Sequence, residues 1–134
     1  MSYYIARTVA GPFETVVADV VERLKAQGFG ILSDIDVQAT LKAKLGADMP
    51  PYRILGACNP SFAHQALQIE DKLGVLLPCN VIVRETADRR VEVASVDPVV
   101  SMGRTGNAAR ATTAEEVRRR LASVIEAVAS QPAQ

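Results

Sequence analysis

Residues 56–80 read GACNPSFAHQALQIEDKLGVLLPCN, a stretch that carries both cysteines and the single histidine of the chain. Its pattern is strand, helix, strand. Tyr52 to Ala57 has strand composition, and Asn59-Pro60 then supplies an N-cap followed by proline at the first helical position. Phe62, Ala66, Ile69 and Leu73 mark the inner face of a helix running from Pro60 to about Leu73, with Gly74 placed to end it. A second strand covers Asn80 to Glu85.

The fold turns on how these two strands lie. As parallel neighbours they would be joined by a helix of 14 residues, Pro60 to Leu73, that returns the chain by about 21 Å. Cys58 and Cys79 would then fall at opposite ends of the sheet, beyond the roughly 7 Å between Cα atoms that a disulfide tolerates. As antiparallel strands under a diagonal helix, the end of one and the start of the next approach, and a paired-thiol site becomes possible.

On the N-terminal side, Tyr3 to Val9 reads as a first strand, closed by Gly11-Pro12. Phe13, Val16, Val17, Val20, Val21 and Leu24 then recur at helical spacing, with charged residues on the other faces and Gly28 at the end. Phe29 to Val37 forms another strand, and QATLKAKLG a short helix stopped by Gly46. Toward the C-terminus, Arg90 to Val96 pairs with Asn80 to Glu85 as an antiparallel hairpin. A long connection, DPVVSMGRTGNAARAT, leads to a capping-box pattern at Thr113-Ala114-Glu115-Glu116. Val117, Leu121, Val124, Ile125 and Val128 define the last amphipathic helix. Val16, Val20, Leu24, Phe62, Ile69, Leu73, Leu121, Val124 and Ile125 are the expected core.

The 134 residues suffice for one domain, 1–134, and show no repeat or low-complexity linker. Fifteen basic and fifteen acidic side chains cancel, which gives no general attraction to nucleic acid or to an anionic membrane. The N-terminal MSYYIARTVAGPFE does not have the pattern of a signal peptide, and no apolar run approaches the roughly 18 residues of a membrane span. The expected compartment is the cytoplasm, where two cysteines outside any CxxC motif are free thiols.

Three stretches, IDVQATLKAKLG (35–46), ILGACNPSFAHQALQIEDKLGVLLPCNVIVRET (54–86) and VEVASVDP (91–98), carry a Gly-x-x-Asn-Pro turn, a leucine-proline strand entry and an aspartate-proline after the hairpin. In these the sequence resembles the DUF302 family over roughly residues 34–98. The resemblance implies a TATA-binding-protein-like α+β fold: a single curved, mainly antiparallel sheet of about five strands with helices on one face, in chains that form dimers. It implies no established reaction. DNA binding does not follow from such a fold, since this chain lacks the basic excess and aromatic wedges of a minor-groove binder. One departure is that relatives carry a histidine after the second strand in an Asp-His pair, whereas Asp36 here is followed by Val37.

The candidate ligand-binding residues are Cys58, Asn59, His64, Cys79, Met102 and Arg104. Cys58 precedes the N-terminus of a helix, a position that can favour a thiolate, but cysteine is among the most buried residue types and the favoured reading is a small apolar residue filling space at a strand end; Cys79 lies among Leu76, Leu77 and Val81 and reads as packed too. His64 lies near the first turn, too isolated to form a metal site without convergent donors. In SMGRTGN two glycines and Arg104 offer an anion cradle that matches no phosphate-loop fingerprint. Asp34 and Asp36 alternate along one strand and share a face. No catalytic triad, carboxylate pair or HExxH helix is present. The sequence therefore points to a dimeric module that binds a small ligand or a partner, with no cofactor specified. The competing reading is a thiol-dependent protein that holds a soft metal such as Cu(I), or handles sulfur species, through Cys58 and Cys79.

Overall fold

The computed structural model describes residues 2–102 and 108–130. Its elements in order are β1 (Tyr4–Ala10), α1 (Phe13–Ala26), β2 (Gly30–Asp36), α2 (Val37–Leu45), β3 (Tyr52–Cys58), α3 (Pro60–Ile69), a 3₁₀ segment (Asp71–Leu76), β4 (Cys79–Glu85), β5 (Arg90–Val96), α4 (Pro98–Met102) and α5 (Ala108–Ala127). The five strands form one sheet in the order β1-β5-β4-β3-β2, and every neighbouring pair is antiparallel. The α+β class and the five-stranded antiparallel sheet are those expected from the sequence. Among the described residues no helix is long and apolar enough to cross a membrane.

α1 joins the two outermost strands and lies across the sheet beside α5. Its inner stripe of Phe13, Val16, Val17, Val20 and Leu24 is buried against Leu55, Val81, Val83, Val91 and Val93, which the two-residue strand period turns to one face. Leu121, Val124, Ile125 and Val128 of α5 and its C-terminal extension complete that core. Such burial stabilises by about 25 cal/mol per Å² of apolar surface removed from water.

The turn after α1 is sharp. Phe29 donates its N–H to the Leu24 carbonyl at 2.9 Å and Gly28 to Lys25 at 3.0 Å, a Schellman closure that buries Phe29 beside Leu24. Gly28 has φ +88°, and a Cβ there would stand 3.0 Å from the Asn59 amide nitrogen and 3.2 Å from the Arg120 guanidinium. The positive φ therefore favours glycine, and a side chain there would also displace the Asn59 amide and the Arg120 guanidinium.

The observed helix ends differ from the expected ones in two places. α3 stops at Ile69, because Glu70 is extended (φ −147°, ψ 107°) and the chain then continues as 3₁₀ turns in which Gly74 is an interior residue. The break rotates the side chains beyond it, so Leu73 is buried as expected while Ile69 is 42% exposed, contrary to expectation. α5 starts at Ala108 rather than at Thr113, so Thr113-Ala114-Glu115-Glu116 lies within the helix. The preceding Ala-Ala-Arg-Ala has strong helix propensity, and that outweighs the capping pattern. Residues 98–102, expected as loop, form α4.

Candidate functional site

Antiparallel pairing of β3 and β4 brings the two cysteines to one end of the sheet. Ala57 lies opposite Cys79, and Cys58 is the next residue along β3. Both line a cavity of about 40 Å³, together with Phe29, Ala57, Asn59, Phe62, Ala66, Leu77, Met102 and Val117. Both thiols are free. Cys79 is buried, and Cys58, at the strand end, is half-buried.

The Asn59 side chain accepts from the Phe62 N–H at 3.2 Å, capping α3 as expected. That cap occupies an amide otherwise open to a thiolate on Cys58. Burial pushes the Cys58 thiol up, in line with a packed strand-end cysteine rather than a thiol activated by the helix start. Burial also pushes Cys79 up to about 11, with the neighbouring Cys58 charge contributing. His64 is exposed on α3 and does not line the cavity. Met102, half-buried at the end of α4, does. Arg104 lies outside the described residues.

Arg120 braces the Phe62 wall of the cavity. Its guanidinium lies over the Phe62 ring at 5.1 Å from the centroid, donates to the Gln27 carbonyl at 3.0 Å and to Glu116 at 3.1 Å. It thereby links α5 to α3 and to the end of α1. The two strand carboxylates have structural duties. Asp34 pairs with Arg53 through two contacts, which hold its carboxyl below the usual range, and Asp36 caps α2 through the Ala39 N–H. Among the described residues no three His, Cys, Asp or Glu side chains converge.

The raised thiols make a chemical prediction. At pH 8, Cys79 in the folded protein is expected to alkylate on the order of 100-fold more slowly than in the unfolded chain, because its thiolate fraction is lower by about two pH units. Cys58 should react first, and mass spectrometry of the alkylated native protein reads both. Because Cys79 ionises less readily when folded, its stabilising contribution is whole below its ordinary value of 9.0 and is lost as pH rises toward about 11.

On the sheet's other face the outward register positions include Tyr4, Ala94, Val96, Ile82, Arg84, Tyr52, Ile54 and Ile35. With Tyr3, Asn80 and Glu92, several of these wall an open trough of about 520 Å³ to which no helix contributes a residue. Tyr3 and Tyr4 meet edge to face with centroids 5.1 Å apart, and Arg84 donates to Glu92 at 2.7 Å. This face escaped the sequence reading, although the alternation of Ile54 with Leu55 and of Ile82 with Val83 carried the signal: apolar residues point both ways.

Comparison with known proteins gives a consistent result. The family model described as domain of unknown function DUF302 matches residues 5–128. A crystal structure of an uncharacterized conserved DUF302 protein from Bacillus stearothermophilus superposes with a TM-score of 0.88 at 26% identity, over 96% of this chain and 99% of that one. No curated protein matches.

Proposed function

The chain belongs to the DUF302 family, and from that premise we propose that it is a partner-binding module that pairs with a second copy of itself through the helix-free face of the sheet. The observation that carries this reading is the trough walled by strand residues and Tyr3 alone. The cleft between sheet and helices is the alternative place for a ligand, but about 40 Å³ is far below the roughly 300–1,000 Å³ of a metabolite pocket.

Size and charge both support a second copy as the occupant. Five strands spaced about 4.8 Å apart and seven residues long present roughly 24 Å by 24 Å. Two such faces remove about 1,100 Å² or more on contact, at the lower end of specific interfaces. A two-fold interface must be self-complementary. Arg84 and Glu92, paired at 2.7 Å, supply one charge of each sign, so each can meet its opposite on the second copy. The same neutrality disfavours nucleic acid. The free thiols fit a reducing compartment, the cytoplasm.

Light scattering tests the reading. The protein is expected at twice its 14.4 kDa mass, and Ile82→Lys, which places a charge in the centre of the face, is expected at the single-chain mass with unchanged circular dichroism. A wild-type protein that stays at the single-chain mass at the highest concentration reached overturns it.

A further inference from the structure

We propose that the small cavity between the ends of β3 and β4 and the helices α3 and α5 binds one soft monovalent cation, of the Cu(I) and Ag(I) class, through the sulfurs of Cys58 and Cys79 with the Met102 thioether as third donor. The site is separate from the pairing face and does not depend on it.

Three observations lead here. The chain has two cysteines and three methionines, and three of these five sulfur-bearing residues, at the end of β3, the start of β4 and the end of α4, line one cavity. Its volume of about 40 Å³ exceeds the roughly 10–15 Å³ that one water needs and is far below a metabolite pocket, so an ion or a small group fits. The remaining walls are mostly apolar, with Phe29, Phe62, Ala66 and Val117 among them and, among the described residues, no carboxylate or imidazole.

That donor set selects the metal. Hard cations require several oxygens, and a structural zinc site requires four ligands from cysteine, histidine or carboxylate. Two thiolates and a thioether suit a soft ion of low coordination number. The binding step is M⁺ + 2 RSH → [M(SR)₂]⁻ + 2 H⁺, with no change of oxidation state and both protons released to solvent. In the free protein burial raises both thiols, and the Cys58 charge raises Cys79 further; a bound cation offsets these penalties. The Arg120 guanidinium on the Phe62 ring adds positive charge at the wall of what becomes an anionic site.

Ag(I) is the probe, added anaerobically to the reduced full chain. One equivalent is expected to protect Cys58 and Cys79 together from alkylation. Affinity should rise about 100-fold per pH unit below the thiol pKa values, because two protons leave. Losing a ligand costs at least what losing a ligand's supporting partner costs, so Cys58→Ser and Cys79→Ala are each expected to weaken binding on the order of 100-fold. Met102→Leu should weaken it about tenfold, and His64→Ala should leave it unchanged. Protection of only one cysteine, a one-proton pH dependence, or cysteine variants that bind like wild type overturns the site; an unchanged Met102→Leu overturns the three-sulfur donor set. Should a cysteine variant fail to fold, alkylation of the wild-type protein with and without Ag(I) decides alone.

Discussion

Leu73→Ala is expected to lower the unfolding free energy by about 2–4 kcal/mol, whereas Ile69→Ala should cost less than about 1 kcal/mol. Helical periodicity puts both residues on one face of α3, so a continuous helix to residue 73 would make the two substitutions comparably harmful. The structure separates them. Leu73 is 1% exposed and Ile69 is 42% exposed, because the extended Glu70 ends the helix and the 3₁₀ turns re-aim the side chains of residues 71–76. A Leu→Ala change at a filled site loses the transfer energy of the removed atoms and also leaves a cavity. Removing a half-exposed isoleucine loses little burial and gains some helix propensity. Urea unfolding with a common m-value measures both; similar losses at the two positions would mean that α3 runs on past Ile69.

Asp97→Ala is expected to cost about 2–3 kcal/mol and to lower Tm by roughly 6–15 °C. Asp97 is 5% exposed, and its carboxylate accepts from Arg118 Nε at 2.9 Å and from the Val99 N–H at 3.0 Å. Its backbone N–H donates to the Tyr3 carbonyl at 2.8 Å, while its own carbonyl accepts from Val100 and Ser101. One residue therefore fastens the start of β1, the first turn of α4 and the face of α5. Breaking a fully buried ion pair costs about 3–5 kcal/mol. Arg118 is 47% exposed and can rehydrate when its partner is lost, which lowers the figure. Asp97→Asn, which keeps an acceptor for Val99, should cost about half as much. Thermal and urea melts give the comparison, and equal stability of wild type and Asp97→Ala would remove the residue from this role.

These two cases mark what the sequence makes legible. Patterns repeated along a whole element are readable one residue at a time: the valine stripe of α1, the alternation of β4 and β5, the Asn59-Pro60 cap. Each depends on local geometry, 3.6 or 2 residues per repeat, which the chain states directly. Features that depend on a long-range partner are less legible. The aspartate-proline after the hairpin is visible as a motif, but its tie to Arg118 needs α5 folded back on the sheet. Cys58 and Cys79 could be neighbours or lie at opposite ends of the sheet until strand direction was known. Cys58 could be an activated thiol at a helix start or a packed strand-end residue, and the burial that raises its thiol, which favours the second, comes from packing the sequence does not state. Gly56 shows the same limit. A Cβ there would approach Pro78 to 2.7 Å and collide with the Ser33 hydroxyl, so its role is set by chain that lies 23 residues earlier and 22 residues later in the sequence.

The pairing of β1 with β5 also bears on how the molecule is made. Tyr4 to Ala10 lie opposite Val96 to Arg90, so the first strand to leave the ribosome must wait for about 90 further residues before its partner exists. At about 5–20 residues per second that interval lasts roughly 5–20 s. During it the β2-β3-β4 meander can assemble and α1 can coil, but Val9 and the α1 stripe have only part of their floor. Nascent chains cut short before Arg90 would therefore expose an apolar helix and an unpaired strand together, and even with β5 in place the α1 stripe lacks Leu121, Val124, Ile125 and Val128 until α5 follows.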